Sequence, residues 1–271
     1  MPDEDMLHED MLLEQRHGGV TLLTMNRPAA RNSLSLAMLA ELHGAITRLG
    51  KDTSIKAIVL AGEGPAFCAG HDLKEMTAAR QASDGGQAFF TETMTACSNM
   101  MQAVVNCPKP VVAAVEGVAT AAGCQLVASC DLAIAGAAAR FATPGVNIGL
   151  FCSTPMVAVS RNIPRKKVME MLLTGEMITA ETAADWGLVN RAVAEGAAVD
   201  SALELAQQIA AKSPATVKIG IEAFYKQLEM PLDKAYDYTA EVMVTNMMDR
   251  DAIEGINAFI EKRPPQWRDP E

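Results

Sequence analysis

The stretch that most constrains the fold of this chain is residues 111–141, VVAAVEGVATAAGCQLVASCDLAIAGAAARF. It opens with VVAAV, an apolar run typical of a strand that is buried on both faces. Glu116 and Gly117 then predict a turn, and the small residues 119–123 lead into residues 125–129, which we expect to begin a buried helix. Small residues at a strand-to-helix turn let a ligand approach the backbone, and amides at a helix N-terminus can stabilise an oxyanion.

A second stretch predicts a partner for the first. Residues 64–76, GPAFCAGHDLKEM, follow another apolar run, residues 55–61, that is typical of a buried strand. Hydrogen-bond donors that converge on one carbonyl oxygen can polarise it. The sequence therefore predicts one site in which two turns each contribute an amide.

The remaining segments predict alternating strands and helices followed by a helical end. We expect strands over 20–25, 131–135 and 140–143, and helices over 35–49, 85–106, 154–162 and 165–173. From about residue 199 the pattern is almost entirely helical, with breaks at Pro214, Pro231 and Asp249. Strand–helix alternation with short connections is expected to build right-handed βαβ units.

Composition excludes several classes of function. Hydrophobic residues make up 49% of the 271 residues and charged residues 21%, which is typical of a soluble globular α/β protein. The formal net charge of −10 argues against binding of nucleic-acid phosphates. The six cysteines show no paired framework, so we expect buried free thiols in a reducing compartment. Four scattered histidines predict no metal site.

The ends of the chain suggest three regions. No apolar run reaches the roughly 18 residues that would predict a membrane span. Residues 1–14 are acidic and methionine-rich, without the pattern of a secretory or mitochondrial presequence, and are predicted to be a mobile tail of a cytoplasmic protein. We expect the core over residues 15–197 and a C-terminal helical region over residues 198–271.

The two stretches, as AFCAGHDLKEM and KPVVAAVEGVATAAGCQLVASCDLAIA, resemble the enoyl-CoA hydratase/isomerase (crotonase) superfamily. The likeness runs in register from about Val20 to the C-terminus. It implies an α/β fold of the crotonase (ClpP-like) type, a spiral of ββα units with a C-terminal helical trimerisation region. It further implies an acyl-CoA thioester as substrate or ligand and a homotrimer or a dimer of trimers. The oxyanion hole would be formed by the amides of His71 and Ala122.

The resemblance also implies a set of contacts to CoA. Arg31 would lie along its nucleotide end, although a solvated surface arginine is an equal alternative. For the His71 ring, the alternatives are a proton donor or pocket wall and a ring that only fills space. Lys262 is a CoA contact or a surface ion pair, and Asp72 is expected to stabilise its loop or to cap the helix that follows. The implied CoA-contacting positions are Arg31, Ala66, Ala69, His71, Asp72, Leu73, Lys74, Phe259 and Lys262.

One departure from the superfamily decides the expected chemistry. Its hydratases use two glutamates, and the matching catalytic positions here are Gln125 and Gly145, in GCQL and FATPGVNIG. A glutamine can hold a water but cannot take up a proton at neutral pH. Loss of a positioned acid or base typically costs about 10²–10⁴-fold in rate, so efficient hydration is not expected. A closer likeness is to a hydratase-like subgroup whose members share the missing glutamates.

Three hypotheses remain. The first is a protein that binds or acts on an acyl-CoA through the oxyanion hole. The second is another thioester-enolate reaction, such as decarboxylation, and the third is a non-catalytic acyl-CoA binder or scaffold. Glu116 could substitute for a missing acid or base, but a structural role is favoured for it. Cys124 or Cys152 could act as a nucleophile, but a buried and inert thiol is the favoured interpretation for each.

Overall fold

The computed structural model describes residues 10–268, and its strands form two sheets. In this part of the chain the strands are β1 (Leu12–His17), β2 (Val20–Met25), β3 (Ala57–Gly62), β4 (Val111–Val115), β5 (Val118–Thr120), β6 (Leu132–Gly136), β7 (Arg140–Ala142), β8 (Ile178–Thr179) and β9 (Arg191–Val193). One sheet has the order β1-β2-β3-β4-β6-β9, and the other has the order β5-β7-β8. All pairs are parallel except β1–β2 and β7–β8.

The helices surround these sheets and then continue to the end of the described chain. They are α1 (Leu36–Lys51), α2 (Leu73–Ala79), α3 (Gln87–Val105), α4 (Ala122–Ser129), α5 (Pro155–Asn162), α6 (Arg165–Thr174), α7 (Ala180–Trp186), α8 (Ala198–Ala210), α9 (Pro214–Leu228), α10 (Leu232–Met247) and α11 (Arg250–Glu261). Local signals explain several ends: the Ser35 side chain caps α1, and Gly175 ends α6 in the left-handed conformation.

The six-stranded sheet is covered on both faces, as its apolar strands require. Along β3, Ile58 and Leu60 enter a large core with α1, α3 and α4. The alternate residues Val59 and Ala61 face α8, whose alanines at a spacing of four allow close packing. The alanines of this helix face are Ala198, Ala202 and Ala206.

Two of the predicted region boundaries need correction. Residues 1–9 lie outside the described residues, but residues 12–14 belong to β1, which pairs with β2 from Leu12↔Met25 to His17↔Val20. The strand was missed because its sequence, LLEQRH, is largely polar, as an edge strand can be. The boundary at residue 198 coincides with the start of α8, but α8 packs on the sheet and so belongs to the core.

The last three helices pack mainly on one another, and they begin where the sequence predicts, at Pro214, after Pro231 and at Asp249. The Tyr225 hydroxyl on α9 donates to the half-buried Asp131 carboxylate at 2.8 Å and so connects these helices to the core. Several large apolar side chains on α9–α11 are exposed in the single chain. They include Phe224, Leu228, Leu232, Tyr236, Met243, Val244, Met247, Ile253, Ile256, Phe259 and Ile260.

Candidate active site

The loop that follows β3 is hydrogen-bonded to β5. The Cys68 amide donates to the Val118 carbonyl at 3.1 Å, and the Thr120 amide donates to the Cys68 carbonyl at 3.0 Å. The Thr120 hydroxyl also donates to the Ala69 carbonyl at 3.2 Å. These bonds bring together the two stretches that the sequence predicted to be partners.

Two glycines allow the closeness of this contact. A Cβ atom added at Gly117 would lie 2.1 Å from the Pro65 carbonyl oxygen, and one added at Gly123 would lie 2.1 Å from the Cys68 carbonyl oxygen. Real Cβ atoms do not approach oxygen so closely, so any larger residue would push the backbones apart. The first turn of α4 therefore lies directly against the loop that carries His71.

The amides of His71 and Ala122 are available as donors in this arrangement. Ala122 is the first residue of α4, so its N–H has no acceptor within the helix. Among the hydrogen bonds of residues 10–268, neither amide has a protein acceptor. The Ala122 nitrogen lies 3.5 Å from the point where a Cβ of Gly70 would stand, so the two turns face each other. Two such donors can serve one carbonyl oxygen.

Ala121, just before this helix, has a strained backbone. Its φ of 50° and ψ of −118° lie outside the regions that residues with a Cβ ordinarily populate. Two bonds hold it there: its amide donates to the Ala142 carbonyl at 2.9 Å, and its carbonyl accepts from the Gln125 amide at 3.0 Å. Stored strain of this kind is found at functional sites.

The other side of the His71 loop lies along the segment that precedes α1. The Ala69 amide donates to the Arg31 carbonyl at 3.0 Å, and the Leu34 amide donates to the Gly70 carbonyl at 2.8 Å. The fully buried Asn32, which the sequence interpretation missed, binds the same loop through its side chain. Its left-handed φ of 52° is a conformation that asparagine tolerates better than most residues.

Asp72 is occupied by structural contacts. Its carboxylate accepts from the Lys74 amide at 3.1 Å, which caps α2, and from the Ser33 hydroxyl at 3.2 Å. Arg27 lies 3.4 Å from it. Desolvation raises the pKa of this carboxyl, but the hydrogen bonds and the Arg27 charge outweigh it, so the pKa lies below its usual value.

Two polar side chains near the amides have atoms without partners. Both ring nitrogens of His71 and the Oε1 atom of Gln125 are buried and lack a hydrogen-bond partner within residues 10–268. Burial lowers the pKa of His71, although the nearby Leu34 carbonyl partly opposes the shift. The imidazole is therefore neutral at pH 7 and offers one donor and one acceptor. Gln125 is 6% exposed, and its Oε1 can only accept.

The space next to the Gly145 Cα atom is filled by neighbouring residues. The Gly145 amide donates to the Cys152 Sγ atom at 3.3 Å. A Cβ added at Gly145 would lie 2.9 Å from that sulfur and 2.9 Å from the Leu150 carbonyl oxygen. The space that a side chain at this position would need is therefore filled, and a glutamate does not fit unless the following loop moves.

The residues considered as substitutes have structural positions. The Glu116 Oε1 atom accepts from the Ala198 amide at 3.0 Å and so anchors the N-terminus of α8. Burial raises the pKa of the Cys124 thiol to about 12 and also raises the pKa of Cys152. Thiols with raised pKa values are poor nucleophiles at neutral pH. All six cysteines are buried and unpaired, as the sequence predicts.

The predicted CoA contacts fall into two groups. The exposed residues Arg31, Leu73 and Lys74 lie beside or on the His71 loop, while Ala66 is buried and Ala69 half-buried within it. The other two, Phe259 and Lys262, lie on or just after α11, whose main packing partners are α9 and α10. Phe259 is 85% exposed.

The described residues contain no group of three or more potential metal ligands. No helix among residues 10–268 is long and apolar enough to cross a membrane.

Comparison with known sequences shows to which class of proteins this fold and these paired turns belong. The chain belongs to the enoyl-CoA hydratase/isomerase family, whose model matches residues 15–270. Rat "enoyl-CoA hydratase domain-containing protein 3, mitochondrial" is 46% identical over 253 residues, which cover 93% of this chain and 83% of the relative. This group is the subgroup that the sequence resembled, so that prediction is confirmed.

Solved structures confirm the predicted fold class. The crystal structure of the human protein of the same group matches with a TM-score of 0.90 and 44% identity, covering 95% of this chain and all of that one. An enoyl-CoA hydratase from Mycobacterium smegmatis matches with a TM-score of 0.91 and 50% identity, covering 96% of this chain and 99% of that one. The chain thus has the α/β crotonase fold with C-terminal helices.

The prediction of a cytoplasmic protein is wrong by the same comparison. The relatives from rat, human and mouse are named as mitochondrial proteins. The prediction relied on the composition of the first residues alone, which does not report where relatives of the folded domain are found.

Proposed function

We propose that this chain binds an acyl-CoA thioester and that the amides of His71 and Ala122 receive its carbonyl oxygen. The observation that carries the proposal is that both amides lack a protein acceptor although their turns are locked together. Donors fixed in advance stabilise the negative charge of an enolate without the cost of reorganising them. The supported chemistry is stabilisation of a thioester enolate.

Efficient hydration is not part of the proposed function. Gln125 has no acid–base capacity at neutral pH, and Gly145 offers neither a carboxylate nor room for one. The neutral His71 ring could donate or accept a hydrogen bond but would carry no charge to stabilise an oxyanion. We therefore expect crotonyl-CoA turnover near background.

The remaining contacts follow from exposure and position. The charged side chains of Arg31 and Lys74 beside the loop suit the phosphates of CoA. The exposed apolar faces of α9–α11 favour association into a homotrimer or a dimer of trimers, because isolated soluble chains rarely leave so much apolar surface uncovered. In such an assembly Phe259 and Lys262 are proposed to reach CoA.

A comparison of two ligands tests the oxyanion hole directly. Butyryl-CoA and S-butyl-CoA differ by the carbonyl oxygen, and calorimetric titration gives the affinity for each. Two amide hydrogen bonds with a net value of about 0.5–1.5 kcal/mol each predict a preference for the thioester of roughly tenfold or more. Equal affinities would contradict the proposal, and no heat with any acyl-CoA would favour a scaffold.

Turnover of crotonyl-CoA tests the reading of the missing carboxylates. Gln125→Glu should raise the rate by about 10²-fold, because it restores one positioned acid or base. Gln125→Ala is the control and should leave the wild-type rate at background. Robust wild-type hydration that survives Gln125→Ala would show that other residues perform the chemistry. Gly145→Glu is unsuitable for this test because Leu150 and Cys152 fill its space.

A further inference from the structure

The buried side chain of Asn32 makes three hydrogen bonds. Its Nδ2 atom donates to the Glu63 carbonyl at 2.9 Å and to the Ala66 carbonyl at 2.8 Å. Its Oδ1 atom accepts from the Arg27 amide at 2.8 Å. The residue is 0% exposed. One amide group therefore links the segment before α1 to the loop that leaves β3.

The loop that Asn32 holds leads directly to the His71 amide. On the other side, Ala66 pairs with Gly117 in the turn before β5, and Cys68 pairs with Ala119 in β5, so the loop is fixed from two sides. The carbonyl oxygen of Arg31, the residue before Asn32, accepts a hydrogen bond from the Ala69 amide at 3.0 Å. A shift of the Asn32 side chain would thus be transmitted to the residues on either side of the Glu63–Ala66 turn.

The buried Asn32 amide group is closely packed against the end of β3. A Cβ added at Gly62 would lie 2.9 Å from the Asn32 Nδ2 atom, so the end of β3 presses on the amide group. Carbonyl oxygens in a buried place cost free energy when they lose their donors. Two carbonyls and one amide depend on this residue, and together they fix the start of the oxyanion loop.

From this geometry we infer that Asn32 is a positioning residue for the oxyanion hole, which aims the His71 amide at the thioester carbonyl. The inference rests on the proposed function of that amide. Asn32 does not touch the ligand in this account. It acts through the carbonyls of Glu63 and Ala66, which its two N–H bonds hold in place.

The test is Asn32→Asp, which keeps the shape of the side chain. It replaces the Nδ2 group, which donates to two carbonyls, with an oxygen that faces the same two carbonyl oxygens. Asn162→Asp is a matched control, since the Asn162 Nδ2 atom also donates to two carbonyls, those of Ala128 and Ala158, both at 2.9 Å. The affinities for butyryl-CoA and S-butyl-CoA are measured by calorimetry in the full-length wild type and both variants.

In Asn32→Asp we expect the preference for the thioester to fall from about tenfold to about onefold, while S-butyl-CoA affinity changes by less than about threefold. Asn162→Asp should keep the wild-type preference. An unchanged preference in Asn32→Asp would overturn the inference and leave the proposed function intact. A wild type without any preference would instead remove the proposed function on which it rests.

A second variant keeps the test decisive if Asn32→Asp does not fold. Asn32→Ser retains an acceptor for the Arg27 amide but is too short to donate to both carbonyls. Infrared difference spectra of bound ¹³C-carbonyl butyryl-CoA would report the polarisation of the thioester. We expect the carbonyl band of the variant to move toward its position in water. A band that stays at the wild-type position would contradict the inference.

Discussion

The contact between Gly123 and the Cys68 carbonyl oxygen allows a quantitative prediction. In Gly123→Ala the new Cβ would begin 2.1 Å from that oxygen, whereas ordinary van der Waals contact begins at 3.4 Å. The two backbones must therefore separate by about 1 Å. Overpacking of a core costs about 1–3 kcal/mol, and a contact with backbone on both sides belongs at the upper end of this range.

The same displacement would move the Ala122 amide out of its place in the proposed oxyanion hole. A misplacement of 1 Å can cost about 10²-fold in catalysis, so the roughly tenfold preference for butyryl-CoA over S-butyl-CoA should disappear. Urea denaturation measures the loss of stability, and calorimetry measures the preference. Gly44→Ala is the control: nothing lies within 4 Å of its Cβ, and alanine in a helix should add up to about 1 kcal/mol. A folded Gly123→Ala variant that keeps the preference would refute the reasoning.

Three further predictions concern single groups. Burial raises the pKa of Asp131 from 3.8 to about 6, so the folded state holds this proton more tightly than the unfolded chain does. The stability that the proton contributes is fully present below about pH 4. It falls by about 3 kcal/mol as the pH rises through about 6. Denaturation at several pH values should show this loss in the wild type relative to Asp131→Asn, and parallel curves would contradict it. Glu116→Ala should cost about 1–2 kcal/mol because the Ala198 amide loses its acceptor, without changing the thioester preference; a changed preference in ligand titrations would place Glu116 in the site. Ala121→Gly should gain about 0.5–2 kcal/mol in urea denaturation, because relief of strain exceeds the added entropy of the unfolded chain, and a loss of stability would disprove the strain.

Much of the fold could be predicted because its signals are local. The strand over 20–25 is found as predicted, and the helix over 35–49 and the long helix over 85–106 are found within two residues of their expected ends. Thr179 caps α7 through its side chain, as a threonine just before the start of a helix indicates. The short strands β5, β8 and β9 were missed, since two or three residues carry no periodic pattern.

Some residues of the candidate site could be predicted from the sequence, and others could not. Gln125 and Gly145 could be read from the motifs, because the motifs fix which residue stands at each position. Asn32 could not be recognised, because its importance lies in hydrogen bonds to carbonyls that are distant in the chain. Ala121 could not be recognised either, because its importance lies in a strained backbone conformation. The sequence shows only that Gly145 has no side chain, whereas the structure shows that Cys152 and Leu150 fill the space that a side chain would need.

By itself the sequence determined the family, most of the helices and strands, and which residues stand at positions 125 and 145, since these depend on residue identity and short-range pattern. Only the tertiary structure decided which groups meet: Gly123 on the Cys68 carbonyl, Glu116 on α8, and Asn32 across two loops. Close packing and buried hydrogen bonds join residues that are far apart in the chain, and their cost or benefit exists only once both partners have been brought together.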